Sequence, residues 1–342
     1  MLVADVSGEE AQGFRSYYEN YIAGNYDVEF NYTDALQSAE DEKTAIEKFA
    51  SQGCQAIISF SSNDRVQQIE TCEKYGVYYA VASGVLDDAQ YETYKTYEYF
   101  AGQVGPGNDT EFEAGKDMGA YYKEQGVSKV AIYGAFIPNP MHVYRVAGVL
   151  NGLGCTYGGE SDMNAIAGQI FQDQTVDLSK VEGDVEVVSY LQGYGDTTTD
   201  ELNAAIQKTP DAFISVGMAT TFFAQSLSEA GISFSDIDSF TETNGNSMKN
   251  GTLTYLAGKY SSSIGPVFAL VMNAINGNVI RDEDGNAPSI SQGYLVATDS
   301  DTFDKYSVSD SGDAPIYDKE TLDSIIGDNV TFEDVKTLVE SK

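Results

Sequence analysis

The sequence predicts an α/β fold built from two doubly wound, Rossmann-like halves. Short β-branched or aromatic runs alternate with amphipathic stretches of helical period along almost the whole chain. Two of these runs, 56–60 and 77–81, are nearly continuous in apolar residues, which is typical of parallel strands covered by helices on both faces. The length of 342 residues is enough for two domains at roughly 150 residues each. The chain is therefore expected to be globular, with two α/β halves of similar design.

The individual elements follow from periodicity and from capping residues. In the helix predicted at 39–51, the residues Ala45, Ile46 and Phe49 share one face, and Ser38 with Asp41 resembles a capping box. The first half is predicted as strand 2–6, helix 9–23, strand 28–32, helix 39–51, strand 56–60, helix 65–75 and strand 77–82. The second half is predicted as helix 110–124, strand 129–133, helix 142–153, an irregular stretch at 155–184, strand 185–191, helix 200–208, strand 212–216, helix 221–230, strands 237–242 and 251–257, helix 266–276 and helices 319–326 and 332–340.

Composition excludes several classes of function. Lys and Arg number 19 against 53 Asp and Glu, a formal charge of −34, so the surface repels phosphate backbones and anionic lipid. We therefore expect no nucleic-acid partner. One histidine and three scattered cysteines cannot build a four-ligand zinc site, and an odd cysteine count argues against a disulfide framework. No run of about 18 apolar residues is present to span a membrane.

Motifs of catalysis and cofactor binding fail on spacing. Seven residues separate Gly107 from Gly115-Lys116, where a phosphate-binding loop needs four, and Asp117 follows in place of Ser or Thr. The acidic stretch 282–286 resembles a calcium loop but lacks the required glycine and the bidentate glutamate, so it reads better as a polar hairpin. No G-x-S-x-G elbow exists, and one histidine leaves little room for a hydrolytic triad. We expect no cofactor, no metal and no enzyme activity.

The residues that follow the strands are the remaining candidates, because open α/β sheets bind ligands beyond the carboxyl ends of their strands. Small, polar and aromatic residues gather there, at 7–14, 61–64, 83–84, 136–140, 193–196, 217–218 and 243–246. Ordinary βα loops with helix caps explain any single one of these segments equally well. Their recurrence over seven loops favours a ligand-binding cleft.

In the order and spacing of its segments, the chain resembles the type I periplasmic solute-binding proteins of ABC transporters, in the sugar-binding branch. The likeness covers roughly residues 1–300. The segments that carry it are 100–108 followed by 113–115, the R-x-x-G helix at 145–148, 210–215 with 224–231, and 249–253 with 263–265 and 274–277. It implies two lobes joined by a hinge of three crossings near 104–107, 244–247 and 289–296. The expected lobes are 1–104 plus 246–290 and 105–245 plus 291–342.

The resemblance also implies site residues, some of which depart from the family pattern. Gln12 and Phe14 match an amide and a stacking aromatic, and Arg145 matches a cleft arginine that bonds ligand oxygens. Asn244 falls where sugar binders carry an acid, Lys259 where they carry Gln, and strand four ends in Ser83 instead of Asp. With the other strand-end residues, the expected ligand-binding set is Gln12, Phe14, Ser61, Asn63, Ser83, Phe136, Arg145, Met218, Asn244 and Lys259.

These departures would make the pocket locally cationic and favour a ligand with a carboxylate, a phosphate or another acceptor-rich group. Three alternatives stay open. Phe14 is equally well explained as a core residue, Arg145 as a surface arginine paired with a carboxylate, and Lys259 as a solvent-exposed lysine.

The function implied is that of an extracytoplasmic solute-binding protein that captures a small polar ligand, a sugar or a related and in some cases anionic molecule, in an interlobe cleft. It would deliver that ligand to an ABC transporter permease and act as a monomer, in the periplasm or as a lipoprotein anchored on the cell surface. No signal peptide is visible, since Met1 leads straight into a predicted strand, as if an upstream segment had been removed. The alternative is a ligand-sensing receptor or the effector domain of a regulator of the same fold, although no basic helix-turn-helix precedes the first strand.

Overall fold

The computed structural model of the protein describes residues 1–3, 6–310 and 314–342. The strands are, in chain order, β1 (Ala56–Ser59), β2 (Tyr78–Ala82), β3 (Phe100–Gly105), β4 (Lys129–Tyr133), β5 (Thr156–Tyr157), β6 (Val181–Glu182), β7 (Glu186–Leu191), β8 (Ala212–Ser215), β9 (Ser233–Ser239), β10 (Leu253–Lys259), β11 (Ser289–Ser291) and β12 (Leu295–Ala297).

Helices separate most of these strands. In chain order they are α1 (Glu9–Ser16), α2 (Ala23–Asn25), α3 (Ala39–Ser51), α4 (Arg65–Tyr75), α5 (Asp88–Tyr94), α6 (Asn108–Glu124), α7 (Pro140–Gly152), α8 (Met163–Asp173), α9 (Asp196–Gln207), α10 (Ala219–Ala230), α11 (Glu242–Lys249), α12 (Gly265–Ile275), α13 (Ser300–Asp310), α14 (Lys319–Asp323) and α15 (Phe332–Glu340). A π-helical segment, Tyr17–Ile22, joins α1 to α2, and short 3₁₀ turns lie at Leu178–Lys180 and Ser261–Ile264.

The chain divides into two compact units. Unit 1 comprises Met1–Pro106, Tyr260–Gly293 and Val308–Lys342, and unit 2 comprises Gly107–Lys259 and Tyr294–Ser307. Both are α/β units with mostly parallel sheets, so the predicted fold class is confirmed.

The sheet of unit 1 has the order β1-β2-β3-β11, with parallel neighbours throughout. Leu2 forms a parallel bridge with Ser59 beside β1, at the start of the predicted strand 2–6, whose residues 4 and 5 lie outside the described part of the chain. The predicted strand 28–32 is wrong: these residues form no strand, and their backbone is linked to the short segment 1–3 through single hydrogen bonds, such as Met1 N to Asn31 O at 2.7 Å. In this segment the Phe30 ring stacks on the Tyr18 ring, with ring centres 4.9 Å apart.

The sheet of unit 2 has the order β12-β10-β9-β8-β4-β7, and only its edge strand β12 is antiparallel to its neighbour. The strand expected at 237–242 lies earlier, as β9. Thr241 ends that stretch by capping α11, since its side chain accepts a hydrogen bond from the backbone N–H of Asn244. The sequence pattern alone did not indicate α11.

Glycines allow α6 and α7 of unit 2 to pack backbone against backbone. A Cβ on Gly115 of α6 would overlap with the carbonyl oxygen of Arg145, and one on Gly148 of α7 with that of Phe112. Gly119 and Gly152 make the same kind of approach one turn further along each helix. This close packing brings Glu111, in the first turn of α6, within ion-pair distance of Arg145.

The unit boundaries differ from the expected lobes at two places. Residues up to Lys259 belong to unit 2 because β10 pairs with both β9 and β12. Residues from 308 onward belong to unit 1, where Tyr17 Oη donates to Tyr317 O at 2.5 Å and Asn273 Nδ2 donates to Ile325 O at 2.8 Å. The chain therefore passes between the units at 106–107, 259–260, 293–294 and 307–308.

Candidate ligand-binding faces

In each unit the parallel strands end at one edge of the sheet, and we call the residues there the strand-end face of that unit. The face of unit 1 is formed after β1, β2 and β3, by 60–64, 83–86 and 105–106. The face of unit 2 is formed after β10, β9, β8, β4 and β7, by Lys259, 238–241, 216–219, 134–139 and 192–195.

In unit 1, the loop after β1 is held by Glu42 of α3. This carboxylate is fully buried and accepts hydrogen bonds from the Ser61 hydroxyl, from Asn63 N at 3.2 Å and from Asp64 N at 3.1 Å. The Ser61 side chain, expected to bind ligand, is thus engaged within the unit, while Asn63 is exposed. Sequence reasoning missed Glu42, although an acid on the helix face that carries Ile46 was a usable signal.

Phe14 and Gln12 lie on α1 of unit 1. Phe14 is 6% exposed and stacks on Phe60, with ring centres 5.4 Å apart, so its position agrees with the core alternative. Gln12 is exposed and donates to Ser7 O at 3.0 Å. Ser83, at the end of β2, is half-buried and adopts a left-handed backbone conformation with φ of 58°.

Arg65, the first residue of α4, lies on the same face and was not anticipated. Its Nη1 donates to Val85 O at 2.5 Å, and a Cβ on Gly84 would lie 3.0 Å from its Nη2. Burial lowers the pKa of this guanidinium, and Tyr79 and Glu42 partly offset that effect.

The face of unit 2 carries a group of partly exposed apolar side chains, which we call the aromatic patch: Phe136, Tyr194, Met218 and Phe222. Tyr194 is 70% exposed, stacks on Phe222 with an interplanar angle of 8°, and meets Phe136 edge-on at 5.5 Å. Met218 adopts a left-handed conformation just before α10, and its carbonyl accepts from Phe222 N. Phe136 and Met218 were predicted as site residues; Tyr194 and Phe222 were not, although Tyr194 lies between two glycines of a strand-end loop.

His142, the single histidine, lies behind this patch. Its Nδ1 lies 3.2 Å from both the backbone nitrogen and the carbonyl oxygen of Phe136, so it accepts from the N–H in one tautomer and donates to the carbonyl in the other. Its Nε2 lies on the side of Gly217, where an added Cβ would be 3.7 Å away. Burial and the neighbouring Arg145 lower the pKa of the imidazole to about 4, so it is neutral at physiological pH.

Arg145 is 3% exposed, and its partners all lie within unit 2. Its Nε donates to Glu111 Oε2 at 2.6 Å, its Nη1 to Val216 O at 2.8 Å, and its Nη2 to Tyr294 Oη at 2.7 Å and to Glu111 Oε1 at 3.3 Å. The arginine expected to anchor the ligand thus has its charge balanced by a buried carboxylate. Its bond to Val216 O fixes the loop after β8 that carries Met218, so its geometry is that of a positioning residue.

The strand-end acid of unit 2 is Asp238, and the expectation for Asn244 needs correction. Asn244 lies inside α11, fully buried, and donates through Nδ2 to Ser239 O at 2.8 Å. Asp238 lies at the carboxyl end of β9 beside Gly258, and the next register pair is Ser239 with Lys259. The predicted Lys259 and the unpredicted Asp238 are therefore neighbours on the face of unit 2. The strand expected at 237–242 led to this error, because it moved the strand end past Asp238.

A second buried carboxylate, Asp236 of β9, holds the loop that carries Met218. It accepts from Ser215 Oγ at 2.9 Å and from Thr220 N, at the start of α10, also at 2.9 Å. Burial and the nearby Asp238 raise the pKa of Asp236 to about 8, although these hydrogen bonds oppose the shift. Asp236 thus holds the loop after β8 at both of its ends, while Arg145 bonds to Val216 between them.

In the described part of the chain, no group of His, Cys, Asp or Glu side chains could hold a metal ion. The three cysteines, at 54, 72 and 155, are free thiols. None of the helices within the described ranges is long and apolar enough to cross a bilayer.

Solved structures that share this fold include sugar-binding proteins of ABC transporters. One, from Actinobacillus succinogenes 130z with bound D-allose, is 16% identical with a TM-score of 0.66, and the match covers 89% of this chain and 98% of that one. The sugar-binding protein of a sugar ABC transporter from Bacillus halodurans is 14% identical with a TM-score of 0.65, covering 90% and 98%. The arabinose-binding component from Shewanella sp. ANA-3, bound to L-arabinofuranose, is 16% identical with a TM-score of 0.61, covering 89% and 93%.

These neighbours are ligand-binding transport proteins and not enzymes, and the resemblance noted in the sequence is confirmed at the level of the fold. No family model and no curated protein sequence matches the chain.

Proposed function

We propose that this protein is an extracytoplasmic solute-binding protein that binds a monosaccharide-sized ligand and passes it to the permease of an ABC transporter. The observation that carries the proposal is the aromatic patch of unit 2, placed at the carboxyl ends of parallel strands in a fold shared with sugar-binding proteins. Ligand binding at the strand-end faces is the general rule for such sheets.

The chemistry of this face suits a sugar. A pyranose or furanose ring has an apolar C–H surface that packs on aromatic rings, and Tyr194 with Phe222 offers two nearly parallel rings for that contact. Sugar hydroxyls need both acceptors and donors at the edge of the ring. Asp238 supplies an acceptor at the end of β9, and Lys259, at the end of the neighbouring β10, supplies a donor.

The exposure of the patch supports a ligand role. Tyr194 is 70% and Phe222 38% exposed, and an aromatic group fixed by ring contacts at a sheet edge is typical of a recognition surface. Arg145 and Asp236 hold the neighbouring loop with buried hydrogen bonds, so Met218 is presented on a rigid support.

The test is calorimetric titration of the purified chain with aldoses, polyols and sugar acids, followed by Tyr194→Ala. We expect binding to at least one class, and a loss of roughly fivefold or more in Tyr194→Ala, as stacking contributions of about 1 kcal/mol or more imply. Tyr75→Ala is the matched control, since Tyr75 is 43% exposed at the far end of α4. Absence of binding across the panel, or equal losses in both variants, would contradict the proposal.

A further inference from the structure

Arg65 is a guanidinium whose charge no carboxylate balances in the described part of the chain. Its one hydrogen bond joins Nη1 to Val85 O, and its buried Nε has no acceptor among the described residues. The other half-buried arginine of unit 1, Arg281, differs sharply: its two terminal nitrogens donate to the carbonyls of Tyr97, Glu98 and Phe100. Arg65 is thus poorly satisfied in a protein with 53 acidic residues.

Glu42, the acid that acts electrostatically on Arg65, forms no ion pair with it among the described residues. Glu42 contributes an electrostatic effect, but its two oxygens are engaged by Ser61, Asn63 and Asp64. A buried charge without hydrogen-bonded compensation is costly. A buried and poorly compensated charge of this kind is typical of a residue with a functional role, such as binding a ligand.

The position of Arg65 identifies that use. Its guanidinium lies against Gly84, in the loop after β2, and its helix starts directly after the loop that follows β1. The side chain therefore belongs to the strand-end face of unit 1. Nη1 is engaged, so Nε and Nη2 are the nitrogens that have no acceptor among the described residues, and a carboxylate matches the edge that these two nitrogens share with its two oxygens.

We propose that Arg65 is a ligand-binding residue for the carboxylate of a sugar acid, so that the protein prefers acidic over neutral monosaccharides. This inference rests on the proposed function and adds its substrate class. A monoanionic carboxylate suits one guanidinium better than a phosphate dianion does, because Glu42 and the overall negative charge oppose a second negative charge.

The experiment compares sugar acids with their neutral parents. Calorimetric titrations of the full chain use D-glucuronate, D-galacturonate and D-gluconate against D-glucose and D-galactose, for the native protein and for Arg65→Gln, Arg65→Lys and Arg15→Gln. Arg15 is the control, an exposed arginine of α1 paired with Glu19.

We expect at least one acid to bind roughly tenfold or more tightly than its neutral parent. Arg65→Gln should remove about tenfold or more of that affinity and leave neutral-sugar binding within about twofold, whereas Arg15→Gln changes neither. The affinity of Arg65→Lys for the acid should lie between those of the native protein and Arg65→Gln, because lysine keeps the positive charge but cannot hold two carboxylate oxygens at once as the planar guanidinium does. Without ligand, Arg65→Gln should melt at the same or a higher temperature, since it removes a poorly compensated charge.

Two results would overturn the assignment of Arg65 and leave sugar binding intact: equal affinity for acids and neutral parents, or an Arg65→Gln variant that keeps acid affinity within about threefold. A clear loss of melting temperature in Arg65→Gln would make Arg65 a structural residue instead. If the native protein binds neither class, the proposed function itself fails, and the inference fails with it.

Discussion

Replacing Glu111 by Gln tests whether Arg145 is a structural residue or a ligand anchor. The change keeps the size and one carbonyl acceptor but removes the negative charge that balances a guanidinium only 3% exposed. Burial opposes the charge of Arg145, whereas Glu111 and Tyr294 more than offset this and raise the pKa of Arg145 above its ordinary value. Without Glu111, the buried charge of Arg145 loses its counter-charge.

The expected loss of stability is large. Removing one partner of a buried ion pair costs about 3–5 kcal/mol. In a unit of this size each kcal/mol shifts the melting temperature by roughly 2–4 °C, so the transition of unit 2 should fall by roughly 6–20 °C. Glu19→Gln is the matched control: its ion pair with Arg15 is exposed on both sides and should contribute less than about 1 kcal/mol.

Calorimetry and urea unfolding of both variants and of Arg145→Met/Glu111→Leu give the measurement. The double variant removes both charges together and should recover much of the stability lost in Glu111→Gln. The reasoning is refuted if Glu111→Gln unfolds within about 1 kcal/mol of the native protein while its ligand affinity falls by roughly thirtyfold or more. That outcome would return Arg145 to the ligand-anchor role that the sequence suggested.

In unit 2, Gly148→Ala should destabilise the protein by about 1–3 kcal/mol or more in urea unfolding, because its Cβ would overlap with a backbone carbonyl. The control Gly168→Ala lies on an open helix surface with nothing within 4 Å and should be neutral or stabilise the protein by up to about 1 kcal/mol. Equal effects of the two substitutions would show that α6 and α7 are not packed backbone to backbone. The single His142 proton signal in an NMR titration should have its midpoint near the value of about 4 set by burial, with stability lost as the pH falls from 6.5 toward that value, and a midpoint near 6.5 would place the imidazole in solvent. Because of Asp236, the free energy of unfolding should fall as the pH rises from about 3.8 toward about 8, since the folded state holds a proton that the unfolded chain releases near 3.8. Asp236→Asn should flatten this dependence of stability on pH. An unchanged dependence would mean that the carboxyl is ionised in the folded protein.

The sequence by itself determined the alternation of strands and helices, and with it the α/β class and the edge of each sheet that we propose as a ligand-binding face. These properties follow from local patterns: apolar runs for buried parallel strands, a period of 3.6 for helices, and a cap such as Ser38. Strand ends then indicated Phe136 and Met218, which lie on the aromatic patch, although the partner Tyr194 was not singled out.

Only the tertiary structure shows which polar and charged side chains are already bonded to one another within the protein. Arg145 is paired with Glu111, 34 residues away in the sequence, because two glycine-lined helices meet, and the Ser61 hydroxyl is bound by Glu42 across 19 residues. Asp238 became the strand-end acid only when the register of β9 against β10 was known. The sequence gives the charge of each side chain, but the partner that compensates this charge is often distant in the sequence. In a chain with 53 acidic residues, nearly every lysine or arginine has many candidate partners.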